Sequence, residues 1–202
     1  DFAVIEIGMN HPGEIAPLAR MADLDVAVIT TVAAAHLEAF ESVAAIAHEK
    51  AAIFDGLRAG GIAIFLADLQ VTPILSAKAE RVSAKLVRFG TAQDADYHLD
   101  SLTQTEAATV VQASHQGQKI LFKVASLGRH FAMNGLACLA VADALGLDRA
   151  IAVTDLGAWV PPLGRGGREM ITLDAVDGTS FELIDDAFNA NPASVAAALD
   201  LL

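Results

Sequence analysis

The sequence predicts an α/β protein built on a mainly parallel sheet with a small antiparallel insertion, and three observations carry that reading. Short β-branched runs alternate with Ala- and Leu-rich stretches of helical period through the first half of the chain. Thr109-Val110-Val111 and Ile120-Leu121-Phe122 flank His115-Gln116-Gly117-Gln118, the pattern of a hairpin set into that alternation. At Pro161-Pro162-Leu163-Gly164 the composition shifts to Pro and Gly, a linker to a second unit.

In chain order, strands are expected at residues 2–7, 26–32, 62–66 and 86–89, where aliphatic and aromatic residues cluster. Helices are expected at 14–21, 42–57, 73–84 and 131–145. Ser42 is a good N-cap, Pro73 suits a first turn, and Gly146 suits the position just past a helix end. Beyond the linker, 169–173 and 180–184 read as strands, and Asn191-Pro192 opens a last helix. The chain starts inside an apolar run without Met and stops inside that helix without a C-cap, so a longer parent protein is expected.

With 202 residues, 54% hydrophobic and 19% charged, the chain has material for a sizeable core, which excludes disorder. A formal charge of −12 makes it a poor partner for nucleic acid or an anionic membrane, so any phosphate site must be built locally. The longest apolar stretches, 26–35 and 131–142, fall short of the roughly 20 residues a membrane span needs, and no signal-peptide pattern opens the chain. The single cysteine, Cys138, forbids an internal disulfide and fits a reducing compartment. These features together predict a cytoplasmic protein.

Two phosphate-binding signatures are absent. Gly8-Met9-Asn10-His11-Pro12-Gly13 is followed by Glu14-Ile15 where a phosphate loop requires Lys and Ser or Thr, and no G-x-G-x-x-G opens a helix after a strand. Gly164-Arg165-Gly166-Gly167 reads as a flexible, basic turn.

Several residues nevertheless carry possible chemistry. Glu6 ends the expected strand 2–7 at the edge where open α/β sheets bind ligands, or it is a solvated carboxylate. His36 follows the next strand and could reach the same edge, or it is a structural imidazole. Lys50 lies among Val43, Ile46, Ile53, Phe54 and Leu57 on the apolar face of helix 42–57. Burial there lowers an amine's pKa and frees it as a nucleophile or for carbamylation; the competing reading is a lysine whose stem is buried and whose head reaches the rim. Asn134, in the first turn of helix 131–145, can donate to and accept from an adenine edge, or serve as a helix-start contact. Asp185-Asp186 end strand 180–184, where carboxylates bind ribose hydroxyls or cap turns; Asn189 and Asn191 follow.

The segments Glu6-Ile7-Gly8-Met9-Asn10-His11-Pro12-Gly13-Glu14-Ile15, Ala35-His36-Leu37-Glu38, Glu49-Lys50-Ala51-Ala52-Ile53-Phe54, Gly128-Arg129-His130 and Asp185-Asp186-Ala187-Phe188-Asn189-Ala190-Asn191-Pro192 together resemble the Mur ligases. The resemblance implies a P-loop-type central domain over residues 1–160, with its phosphate loop lying upstream of Asp1, and the beginning of a Rossmann-like C-terminal domain over 161–202. It implies ATP-dependent amide formation through an acyl phosphate in peptidoglycan synthesis. The first and last segments point to D-alanyl-D-alanine and UDP-N-acetylmuramoyl-tripeptide as substrates. Glu6, His36 and a carbamylated Lys50 match the family's magnesium-binding positions, and all three are its expected catalytic residues. Asn134 matches its adenine contact, and Arg165 and Asp186 match nucleotide contacts from the C-terminal domain. The chain departs from the family at Phe131, where Asn is usual, at Thr31 and at Leu66. Another Mur-type ligase, a ligase of the folylpolyglutamate synthase type and a noncatalytic nucleotide-binding module are the alternatives. Without a phosphate loop, the 202 residues alone are expected to be inactive.

Overall fold

Six strands lie in one sheet in the order in which they leave the chain, with a separate two-stranded sheet beyond. The computed structural model describes residues 1–34, 38–105, 108–174, 176–188 and 192–199. The large sheet comprises β1 (Leu24–Ile29), β2 (Leu57–Leu66), β3 (Lys85–Gly90), β4 (Tyr97–Gln104), β5 (Thr109–His115) and β6 (Gln118–Val124). β1 to β4 run parallel, with Val26 opposite Ile62, Ile64 opposite Val87, and Phe89 opposite Tyr97. β4, β5 and β6 are antiparallel, so the expected hairpin is present, turning at Gln116 and Gly117, both at positive φ.

α1 (Ile15–Ala22) precedes β1, α2 (Val43–Ala51) joins β1 to β2 and α3 (Thr72–Arg81) joins β2 to β3, as a parallel crossover requires, whereas a short loop over 91–96 leads from β3 to β4. Two further helices, α4 (Arg129–Ala144) and α5 (Arg149–Ala158), follow the hairpin. Successive side chains of β2 enter opposite cores. Ile64 packs with Phe89, Val111, Phe122, Leu136 and Leu139 under α4, whereas Phe65 packs with Ile46, Phe54 and Leu75 under α2 and α3.

Ser42 caps α2 as the sequence predicts, its Oγ accepting the Ala45 N–H at 3.1 Å. The α-helix stops at Ala51 and tightens into a 3-10 helix over Ala52–Gly56 instead of running to 57. That last turn presses on α1: a Cβ on Gly56 would lie 2.2 Å from the Ala19 carbonyl oxygen. At the end of α4, Gly146 at φ +68 accepts the role expected of it. Its N–H donates to the Asp143 carbonyl at 3.1 Å and that of Leu147 to the Ala142 carbonyl at 2.8 Å.

One expected strand is corrected. Residues 2–7 belong to no ladder and are largely exposed, Val4 at 99%. Alternating apolar residues give a segment strand propensity, but a strand forms only against a partner, and among the described residues β1 pairs with β2 alone. β7 (Gly167–Asp174) and β8 (Thr179–Asp185) form the small antiparallel sheet, and α6 (Pro192–Leu199) follows. Among the described residues, no helix is long and apolar enough to cross a membrane.

Candidate functional site

The start of α4 is held from beneath by a fully buried threonine. Thr109 Oγ1 on β5 donates to the Ser126 carbonyl at 2.8 Å and accepts the Gly128 N–H at 3.2 Å. Gly128 has φ +126, and a Cβ there would fall 2.7 Å from the His130 ring, so glycine is required on both counts. The His130 ring consequently sits against this turn, 4.1 Å from Phe131, and Phe131 lies 5.6 Å from Trp159 at the end of α5. Asn134, exposed on the same helix, is four residues after His130 and three after Phe131, which places it along one ridge with both.

The second sheet reaches this place through Asp186. Burial lowers the His130 pKa, and the Asp186 carboxylate opposes that shift across the gap. The segment carrying Asp186 is pinned to the linker: the Gly166 N–H donates to the Asp185 carbonyl at 2.8 Å, the Phe188 N–H donates to the Gly164 carbonyl at 3.0 Å, and the Arg165 guanidinium lies 4.3 Å from the centre of the Phe188 ring. Asp186, remote from α4 in sequence, is thus near enough to act on His130 at the start of the helix that bears Asn134. Asn189 and Asn191 lie outside the described residues.

A second group surrounds α2. Lys50 is half-buried beside Ile46, Ala47 and Ala51 on the inner side of the helix, and burial pushes its amine below the usual lysine range. Its neighbour Glu49 turns toward the loop preceding α1, where its two oxygens accept the Gly13 N–H at 2.8 Å and the Ile15 N–H at 3.0 Å. α1 has no cap from its own N-cap side chain, so a carboxylate from α2 satisfies its leading donors. Glu14 closes the same loop, accepting the Asn10 and His11 N–H groups at 2.7 and 3.1 Å, and these bonds lower its pKa. Sequence reasoning quoted Glu49 only as part of a motif; its structural role shows once α1 and α2 are in contact.

Glu6 is exposed on the unpaired segment, rather than at the end of a sheet strand, and His36 lies outside the described residues. Among the described residues no three His, Cys, Asp or Glu side chains converge on a point that could hold a metal ion.

Residues 1–142 match the Mur ligase middle domain. The chain belongs to the Mur ligase family. This Mur ligase chain is 32% identical over 201 residues to the UDP-N-acetylmuramoyl-tripeptide–D-alanyl-D-alanine ligase of Bacillus subtilis, a match covering all of this chain and 41% of that protein. Among solved structures it resembles MurF from Acinetobacter baumannii with a TM-score of 0.88 at 25% identity, covering 98% of this chain and 41% of that one. It also resembles MurF from Thermotoga maritima, a structure in complex with ADP, with a TM-score of 0.78 at 26% identity, covering 96% and 42%. The chain therefore spans about two fifths of the length of the relatives it matches. The α/β architecture predicted from sequence, with its antiparallel insertion and second small sheet, is the one these Mur ligases share.

Proposed function

We propose that this Mur ligase chain is the central part of a cytoplasmic enzyme that joins D-alanyl-D-alanine to UDP-N-acetylmuramoyl-tripeptide at the expense of ATP. The observation that carries the reading is the end-to-end match with the Bacillus subtilis enzyme of that name. In this reading residues 1–160 belong to the central ATPase domain and 161–202 begin the C-terminal ligase domain. The tripeptide carboxylate takes the γ-phosphoryl group of ATP, the amine of D-alanyl-D-alanine attacks the acyl phosphate, and phosphate leaves.

Asn134 reads the adenine edge, its amide both donating and accepting. Arg165 and Asp186 bring a cation and a carboxylate from the second unit to the nucleotide, and the effect of Asp186 on His130 at the start of α4 supports the assignment of Asp186. Glu6, His36 and Lys50 are the residues assigned to magnesium by family resemblance.

The test is phosphate release. A parent protein carrying a phosphate loop should release phosphate only when UDP-N-acetylmuramoyl-tripeptide and D-alanyl-D-alanine are both present, and the 202 residues alone should release none. Turnover with a single amino acid in place of the dipeptide, or with a folate in place of the tripeptide and an amino acid as the amine, would assign the chain to another ligase.

A further inference from the structure

We propose that the cleft between α2 and α3 binds a phosphate monoester carried on a compact apolar body. The cleft measures about 470 Å³, within the roughly 300–1,000 Å³ of small-molecule sites. It lies across the large sheet from α4, because α2 and α3 pack over the core of Phe65 whereas α4 packs over that of Ile64. The cleft is therefore independent of the nucleotide reading of α4. Its hollow has a simple origin: Ala51 on α2 and Ala77 on α3 both line it, and each puts only a methyl group where a longer side chain would close the gap between the helices. On α3, Ile74, Ala77, Lys78 and Arg81 follow one another at three- and four-residue steps, so one stripe of the helix forms a whole wall.

The charges around it are of one sign. His48, Lys78 and Arg81 line the cleft, and among the described residues no carboxylate does, in a chain whose formal charge is −12. Lys78 is already matched: its Nζ lies 2.5 Å from Asp55 Oδ1, and the same carboxylate meets Arg20 at 3.5 Å. That pair ties α3 to the turn after α2 and leaves Lys78 a neutralised part of the wall. His48 and Arg81 differ. Both are exposed, and among the described residues neither side chain makes a hydrogen bond or an ion pair. A guanidinium offers forked N–H donors that match phosphate oxygens, and an imidazole keeps one N–H donor even when neutral. A phosphate monoester also carries nearly twice the charge of a carboxylate at neutral pH, which favours it over a carboxylic acid beside two such donors. Inorganic phosphate would leave the slot over Ala51, Ile74 and Ala77 empty, and a neutral apolar molecule would leave both donors unused.

Phenyl phosphate is the probe, titrated into the purified 202-residue protein with calorimetry for affinity and proton NMR of the imidazoles for place. The His48 signal, identified by its loss in His48→Gln, should shift saturably. Benzoate should bind more weakly, and inorganic phosphate, benzyl alcohol and benzamidine more weakly still. Arg81→Gln and His48→Gln should each weaken phenyl phosphate about tenfold by calorimetry, and added salt should weaken it in the parent. Ala77→Leu keeps every charge and fills the slot, so it should abolish binding. His48, Ala77 and Arg81 are all exposed, so the three variants leave the core untouched. A stationary His48 signal overturns the proposal, as does an Ala77→Leu or Arg81→Gln protein that binds like the parent. Inorganic phosphate binding as tightly as phenyl phosphate would reduce the cleft to two surface cations, and benzyl alcohol or benzamidine doing so would reduce it to an apolar groove; each of these results overturns it as well.

Discussion

Glu49 on α2 accepts the backbone N–H of Gly13 at 2.8 Å, tying the loop ahead of α1 to the helix that carries Lys50. A second bond to the Ile15 N–H makes the same carboxylate the cap of α1. Glu49→Ala leaves both donors without that partner and should lower stability by about 1–3 kcal/mol, read as a shift in the denaturant midpoint. A midpoint identical to that of the parent would mean water replaces the carboxylate at no cost.

Lys50 makes stability depend on pH in a defined direction. Burial lowers its folded pKa, so below the ordinary lysine range the unfolded chain holds a proton that the folded state has already released. Stability therefore rises as pH climbs from the folded pKa toward the unfolded one. Lys50→Met, of similar size and uncharged, should be more stable than the parent at lower pH, with the advantage shrinking through that window. Urea denaturation across pH measures it, and a constant difference would contradict burial as the cause.

Tyr97 is the chain's only tyrosine, which makes its phenolate absorbance unambiguous. Burial first, and then its bond to the Asp143 carboxylate, raise its pKa. The absorbance rise should come well above the ordinary value of about 10. The stabilisation linked to this proton is complete below that value and is lost as pH rises through the folded pKa. Asp143 stays ionised to assist: burial acts to raise it, but the bonds from Arg149 and Tyr97 prevail and hold it low. Asp143→Ala should move the Tyr97 titration downward, and an unmoved titration would leave burial as its sole cause.

Gly56 tests the contact between α1 and the turn after α2. A methyl group there would meet the Ala19 backbone, so Gly56→Ala should cost about 1–3 kcal/mol. Gly8→Ala, with open space around it, is the control and should be near neutral in the same thermal melts.

What the sequence made legible follows from how local each signal is. β3 and α4 lie within two residues of their expected bounds, β2 begins at Leu57 instead of 62, and Gly146 marks the end of α4 because a helix that stops this way needs φ above zero. β4 escaped notice because its register shifts between Leu99 and Ser101, which breaks the alternation. α5, which buries no residue completely, was not expected from the sequence. In the candidate site, Lys50 was visible as a charge on a greasy face. The corner at Phe131 was not, since Trp159 and Asp186 reach it only through tertiary approach.

β1 has one further consequence. Among the described residues β1 pairs with β2 alone, so the backbone groups of alternate β1 residues face away from the sheet. Such a rim can template pairing with another strand, and the formal charge of −12 opposes it between copies of this chain, so salt, by screening that charge, should favour dimers and larger species.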